Sequence, residues 1–458
     1  MTEFSGKDLI DMGFKPAKWF GQVLSAANSG GMDSDAVREM ANNLAAKETK
    51  IIPPQEGPTF DRFINPENQA EADNADAVFA TMTEIMKTPT VVAGAVMPDA
   101  CPAGSLGTIP VGGVISTRNA VHPGMHSADV CCSLMTTDLG DIDPAAVLDA
   151  AHKLCHFGPG GHREPVDTLP ASLIQRIEAN PFYFTEPALD LARHHLRTIG
   201  ASNHFLYVGR SENTGHVHLV THHGSRGFGA HLYKNGMNSA EAFRRKHSPE
   251  TLKQNAWIEL DSQDGADYMD GLAIAHDWTL LNHASLHDAV MSALGVGGGG
   301  RLFSPHNFVF RDDRDPSIIH HAKGATPVKK AFLTDKHDTM IVPMNMAEPV
   351  LLVQPGPGNA TGFAPHGAGR VMTRTAHRKI HEGTPEEEVV ARETQGIDAR
   401  FYCGIPDTSE LPSAYKSAAS VQRDMAAFGL ADVVDRIQPH GCIMSGDIER
   451  NAPWRKKS

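Results

Sequence analysis

The stretch HVHLVTHHGSRGFG, residues 216–229, runs from an apolar β-like segment into two adjacent histidines and a glycine-rich turn. A strand entering such a turn puts His222 at a strand end and exposes the amides of Gly224, Ser225 and Gly227, which with Arg226 would form a concave anion site. PHGAGRVMTR, residues 365–374, repeats the device. There His366 precedes Gly367, Ala368 and Gly369, which let backbone approach a ligand, and Arg370 and Arg374 fall four apart, on one face if the segment is helical. A phosphate fits two guanidinium groups on one face.

Outward from these turns, the chain from Val91 onward alternates short β-like runs with Gly and Pro: VVAGAVM, GTIPVGGVIS, HFLYVG, HNFVF, TMIVPM and PVLLVQP. Helical stretches intervene near 144–155, 185–199, 239–255, 267–294 and 413–436. Upstream, a helix is expected over 30–50 with Ser34 as N-cap and Val37, Met40, Ala41 and Leu44 on one face, and another over 70–87. This mixed order excludes a simple doubly wound sheet. The expected fold is α+β: a single large catalytic body of mixed β-sheets flanked by helices over residues 91–446, an N-terminal helical and irregular region (1–90) packed on that body, and a basic tail (447–458).

With 458 residues, 41% of them hydrophobic, the chain can bury a large core. Its formal net charge of −13 argues against a protein that coats nucleic acid indiscriminately, since that affinity comes from many Lys and Arg contacts to phosphate, but a local basic groove stays open. The start, MTEFSGKDLIDMGF, is acidic and unlike a secretory signal, and no apolar run approaches a membrane span. Six cysteines are too sparse for a disulfide scaffold, so reduced thiols and a cytoplasmic enzyme are expected.

Six separated segments carry metal- or phosphate-directed groups: Asp99, Asp129 with Cys132, Asn203-His204, His222 with Arg226, His306-Asn307, and His366 with Arg370. Thiolate, imidazole and carboxylate together suit Mn, Zn, Fe or Co better than Mg or Ca. Each pattern alone is weak. A single His or Cys beside an apolar strand is usually a packed or hydrogen-bonded residue, and His122, His126, His152, His218, His320 and His337 are read so, as is Cys131. Only the joint occurrence makes a metal site beside a phosphate site the working hypothesis.

The order of these segments resembles one family. MPDACPAGSLGTIPVGGVI (97–115) is similar to the MPD-x-H-x-G…IG motif of RtcB-type RNA ligases, and AVHPGMHSADVCCSLM (120–135) to their D-x-G-C-G-M block. SNHF, THHGSRGFG, PHNFVF, AKGAT, PHGAGRVMTR and LPSAYK follow in the family's order, so the resemblance covers roughly residues 90–445. It implies an enzyme that joins RNA ends bearing a 2′,3′-cyclic phosphate or 3′-phosphate to a 5′-hydroxyl, using GTP and two Mn ions, in RNA repair or tRNA splicing. By the resemblance, Asp129, Cys132 and His204 hold one Mn, and Cys132, His222 and His306 the other. A bridging thiolate is reasonable because two dications force the thiol to deprotonate. His366 would be the nucleophile that takes GMP as a covalent phosphoramidate. Asn203, Arg226, Arg370 and Arg374 would hold phosphates, His306, Asn307, Gly367, Ala368 and Gly369 would complete the nucleotide site, and Tyr415 would stack on the base. Asp99 and Cys101 are further candidates. The implied partners are RNA with broken ends and a nucleotide; an activating protein stays open.

The chain also departs from the pattern. Cys101 replaces a family His, and Ser127-Ala128-Asp129-Val130-Cys131-Cys132 lacks two glycines around the metal ligands. Tyr207 stands for the acid that reads the guanine edge, Pro343-Met344-Asn345-Met346-Ala347 for a PGSMG loop, and Cys442-Ile443-Met444-Ser445-Gly446 lacks the family's terminal lysine. Losing the acid leaves guanine donors unpaired, at about 1–3 kcal/mol each. Two rivals to the ligase therefore stay open: a Mn-dependent RNA-end phosphatase or cyclic phosphodiesterase without ligation, and a non-catalytic RNA-end sensor.

Overall fold

In chain order, the strands that position the candidate residues are β1 (Val91–Cys101), β2 (Val111–Arg118), β3 (Ser133–Asp138), β4 (Phe205–Ser211), β5 (Val217–His223), β6 (Arg301–Pro305), β7 (Asn307–Arg311), β8 (Ile318–Lys323), β9 (Met340–Val342), β10 (Val350–Pro355) and β11 (Ala431–Met444). They belong to a computed structural model that describes residues 3–17, 19–46, 51–184, 186–333, 337–448 and 450. The larger sheet has the order β9-β10-β11-β4-β5-β3-β6, antiparallel throughout, with Asp398–Phe401 pairing parallel to β11. A five-stranded sheet runs Asp61–Arg62, β1, β2, β8, β7. One residue, His306, separates β6 in the first sheet from β7 in the second. The observed architecture is α+β with mixed sheets, as the order of runs predicts.

Helices that matter to the site are α1 (Gln69–Met86), α2 (Arg226–His247), α3 (Gln263–Leu294), α4 (Arg374–Ile380) and α5 (Ala418–Ala427). Strand β5 is buried at every position, on both faces, so its polar side chains need internal partners. Thr221 Oγ1 has two from α3, His283 Nδ1 at 2.6 Å and His287 Nε2 at 2.8 Å. Two buried histidines of α3 thus share one hydroxyl of β5 inside the core, and the His283 ring also stacks on His223 with centroids 3.5 Å apart.

The described residues divide into two compact units, one through Ile52 with Arg245–Pro249, the other Pro53–Arg244 with the chain from Glu250 onward. In the smaller, helices Gly6–Asp11, Phe20–Gly30 and Ser34–Ala46 close over Leu9, Val23, Ala27, Val37 and Ala41. Ser34 is the first helical residue, and the cap is Asp33, whose Oδ1 accepts from Ala36 N at 2.8 Å. In the larger unit α1 packs Val78, Met82, Ile85 and Met86 against Val91, Val96 and Ile115, so residues 53–90 go with the sheets, not with the preceding helices. Of the tail, Asp447, Ile448 and Arg450 are described, Arg450 paired with Glu386; the remainder lies outside the described residues.

Two helix expectations are corrected. Residues 413–436 hold only the ten-residue α5, and Gly429, at φ 61°, turns the chain into β11. The helix expected over 239–255 is α2, which begins at Arg226; its buried Phe228, Leu232, Gly236 and Ala240 lie four apart. Glycines disguise it, and Gly236 is required because a Cβ there would stand 2.2 Å from the Tyr268 ring. No helix among the described residues is long and apolar enough to cross a membrane.

Trp278 on α3 is wholly buried, lies 5.5 Å from the Phe228 ring, and donates from Nε1 to Ala192 O at 2.9 Å. Trp278→Ala is expected to cost about 3–5 kcal/mol, read as the shift in a urea unfolding curve.

Candidate metal and phosphate site

Antiparallel register brings four distant segments to one end of the larger sheet. His222 on β5 stands opposite both Phe205 on β4 and Leu134 on β3, and Ser133 opposite Pro305 at the end of β6. Cys132, His204 and His306 sit one residue beyond these strand ends, so they converge on His222.

The convergence is close. Cys132 Sγ lies 3.2 Å from His222 Nε2 and 3.4 Å from His204 Nε2, His222 Nε2 lies 3.1 Å from His306 Nε2, and His204 Nε2 lies 2.9 Å from Asp129 Oδ2. Two groups result, Cys132-His222-His306 and Asp129-Cys132-His204, with donor atoms of each within 4.8 Å of one another. Cys132 belongs to both. His204 Nδ1 donates to Ile199 O at 2.9 Å, which orients the ring so that Nε2 faces Asp129 and Cys132, the second hydrogen bond that a metal-ligating histidine commonly makes.

Burial pushes the Cys132 thiol well above its usual range, and Asp129 beside it pushes further. Burial likewise holds His222 and His306 well below theirs, helped by their histidine neighbours. Burial alone would raise the Asp129 carboxyl, but His204 holds it low. A soft thiol that resists losing its proton, packed with lone pairs of neutral imidazoles and a carboxylate, is a donor set that a transition dication fits and a proton fills poorly.

The backbone here is strained. Ser127 (φ 81°), Cys131 (φ 56°), Ser202 (φ 67°) and Arg226 (φ 57°) occupy the left-handed region, each within two residues of Asp129, Cys132, His204 or Gly224. Gly224 makes room: a Cβ there would lie 2.2 Å from Asp129 Oδ1.

Beside the cluster, His366 Nδ1 lies 2.6 Å from Asp99 Oδ2, an oxygen that also accepts the His366 amide at 3.1 Å. A carboxylate only accepts, so Nδ1 carries a proton, and among the described residues Nε2 makes no hydrogen bond. The His366 ring is 4.7 Å from that of His306. Both line a cavity of about 360 Å³ that also takes in Asp129, Cys132, Asn203, His222, Asn307, Gly367, Ala368 and Gly369.

The arginines arrive differently from the expectation. Arg370 is extended, bridged to Tyr415, and only Arg374 opens α4, so no shared helix aligns them. Glu410, almost wholly buried, does so instead: Arg370 Nη1 is 3.3 Å from its Oε2 and Arg374 Nε 2.6 Å from its Oε1. Tyr415 also donates its hydroxyl to Glu410, and its ring lies 5.4 Å under the Arg370 guanidinium. The turn after β5 is a correction, since Ser225 N donates to Val130 O and Gly227 N to His195 Nδ1. Those amides are spent inside the protein. Arg226 Nη2 donates to Gly158 O at 2.6 Å, and Arg226 does not line the cavity.

Lys323 and Lys416, in the AKGAT and LPSAYK blocks, were not singled out from the sequence. Lys323 lines the cavity, donates to Ile109 O at 3.0 Å, and is pulled down by burial to about 8. Cys101 lines it too, its thiol pushed up by burial. Phe205, Tyr207, Met344, Asn345, Met346, Cys442 and Met444 also line it, and the Tyr207 hydroxyl is spent on Ile437 O at 2.7 Å.

The family model described as tRNA-splicing ligase RtcB matches residues 170–445, more than half of the chain. The chain belongs to the RtcB family. It is 25% identical to the RNA-splicing ligase RtcB of Escherichia coli K12 over 368 residues, covering 73% of this chain and 86% of that protein. It is 25% identical to the tRNA-splicing ligase RtcB of Archaeoglobus fulgidus over 304 residues, 57% of this chain and 62% of that one, and 24% identical to that of Thermococcus kodakarensis over 310 residues, 57% and 62%. The match thus spans about three fifths of the two archaeal relatives. Ser127 and Cys131, which flank Asp129 and Cys132, hold left-handed backbone without being glycine.

Gly224→Ala is expected to displace Asp129 and crowd the Cys132 backbone, and so to lower the transition metal bound per chain, read by mass spectrometry. Because Lys323 loses its charge as pH rises through about 8, inorganic triphosphate should bind about tenfold more weakly at pH 9 than at pH 7 by calorimetry, a difference that Lys323→Met removes.

Proposed function

We propose that this chain is an RNA ligase that joins 2′,3′-cyclic-phosphate or 3′-phosphate RNA ends to 5′-hydroxyl ends through a nucleotide carried on His366. The observation that carries the reading is the His366 ring, tied through Nδ1 to buried Asp99 with Nε2 free, beside two ligand groups that share Cys132. Two Mn ions suit those groups, one held by Asp129, Cys132 and His204, the other by Cys132, His222 and His306. When bound they would supply positive charge that offsets the charge building up on phosphate.

The residues then divide the work. Asp99 holds the proton on His366 Nδ1, so the Nε2 lone pair forms the bond to the α-phosphorus of GTP while the bond to the bridging oxygen breaks and pyrophosphate leaves. The ring becomes cationic as that bond forms, and Asp99 stabilises it. A 2′,3′-cyclic end first takes up one water, which breaks the ring P–O bond to the 2′-oxygen and leaves a 3′-phosphate; GMP then passes to that phosphate, restoring the neutral ring, and the 5′-hydroxyl oxygen displaces GMP and loses its proton to solvent. Arg370 and Arg374, held by Glu410, together with Asn203 and Lys323, would hold phosphate oxygens. Gly369 keeps this stretch of backbone against β1, since a Cβ there would lie 1.8 Å from Asp99 O.

GTP is the nucleotide suggested by the family, but Tyr207, which stands for the family's guanine-reading acid, spends its hydroxyl on Ile437 O. That observation favours a second reading in which only the hydrolytic half of the reaction survives: processing of a 2′,3′-cyclic end with no nucleotide and no joined product.

Purified protein with Mn and α-labelled GTP or ATP is expected to acquire acid-labile label, and His366→Ala to acquire none. Label absent with both nucleotides, or undiminished in His366→Ala, overturns the ligase reading.

A further inference from the structure

Asp99 is wholly buried, and among the described residues its Oδ1 takes no hydrogen bond. A buried carboxylate left partly unsatisfied is costly unless a cation stands near it. Arg370 is committed elsewhere, to Glu410, Ser409 O and Met372 O. Lys323 donates to Ile109 O. The remaining cation is Lys416, itself only 4% exposed, whose Nζ donates to Pro98 O at 3.0 Å and Ala100 O at 2.8 Å. These carbonyls flank Asp99 in the chain. The ammonium therefore grips strand β1 on both sides of the carboxylate that holds His366.

We propose that Lys416 is a positioning residue for the nucleotide-accepting histidine: it clamps the Pro98–Ala100 backbone and supplies the counter-charge that lets buried Asp99 hold His366 with Nε2 free. Burial draws the Lys416 ammonium below its usual range, and Asp99 is the leading influence that restores it. Gly369 O accepts from the Lys416 amide at 2.9 Å, so the segments bearing His366, Asp99 and Lys416 form one hydrogen-bonded unit. Lysine suits this place because its compact head carries several donors and one charge, enough to reach both carbonyls while keeping a cation near Asp99. The inference rests on His366 as the acceptor of the nucleotide.

Lys416→Met removes the charge and both donors at similar size, and Lys416→Gln, run in parallel, keeps a donor without charge. In full-length protein with Mn, either change is expected to slow His366 labelling at saturating nucleotide by about tenfold or more, with the half-saturating nucleotide concentration and bound Mn unchanged. A purely structural role would instead lower folded protein and Mn together, which circular dichroism and metal analysis read directly. A second readout needs no nucleotide: carbethoxylation of His366 by diethyl pyrocarbonate, followed by mass spectrometry, should be slower in both variants. Labelling at the wild-type rate in a folded variant overturns the proposal. If the wild type takes no label, the ligase reading fails separately, and equal carbethoxylation of wild type and variants then overturns the role of Lys416.

Discussion

The hydrogen-bonded register of β5 between β3 and β4 is the constraint on which the rest depends. It sets Phe205 and Leu134 opposite His222, and so brings Cys132 and His204, each just outside a strand, to the same sheet end. Side chains alternate between the faces of a strand, so a slip of one residue would turn His222 to the other face and separate it from Cys132 Sγ. The register is secured because β5 is buried on both sides and Thr221 at its centre is matched to His283 and His287 on α3. Packing that looks purely structural thereby sets the geometry of the candidate centre.

That geometry has a cost. A buried thiol and imidazoles kept neutral, four non-glycine residues in left-handed backbone, and a wholly buried carboxylate are each unfavourable alone. The surrounding layer holds them: Ile199 O fixes the His204 ring, Glu410 aligns two arginines, and Lys416 grips the strand around Asp99. Each reaches its partner from a different part of the chain. The centre is stiff because the rigid sheets around it are stiff.

Local pattern was legible where one force dominated. The face of Val37 and Ala41 marks a buried helix, and the β-like runs from Val91 became strands because their apolar residues fall between turn-formers. Reading failed where tertiary contact overrode propensity. Glycines at 227, 229 and 236 look like a loop, yet α2 accepts them because His195, Ser225 and Tyr268 respectively leave no room for a Cβ. Residues 431–436 lie in the stretch expected to be helical over 413–436, yet they open strand β11, which pairs with β4 and β10.

Sequence alone determined the donor chemistry: which residues are thiol, imidazole, carboxylate and guanidinium, their order along the chain, and through that order the family. It could not decide which donors face one another, because that follows from register and crossing of segments separated by up to hundreds of residues. Only the tertiary structure sent the amides after β5 and Arg226 into internal hydrogen bonds, joined Arg370 to Arg374 through Glu410, and set Lys416 beside Asp99. A side chain's partners depend on distances in space, and those are set by burying the whole core at once.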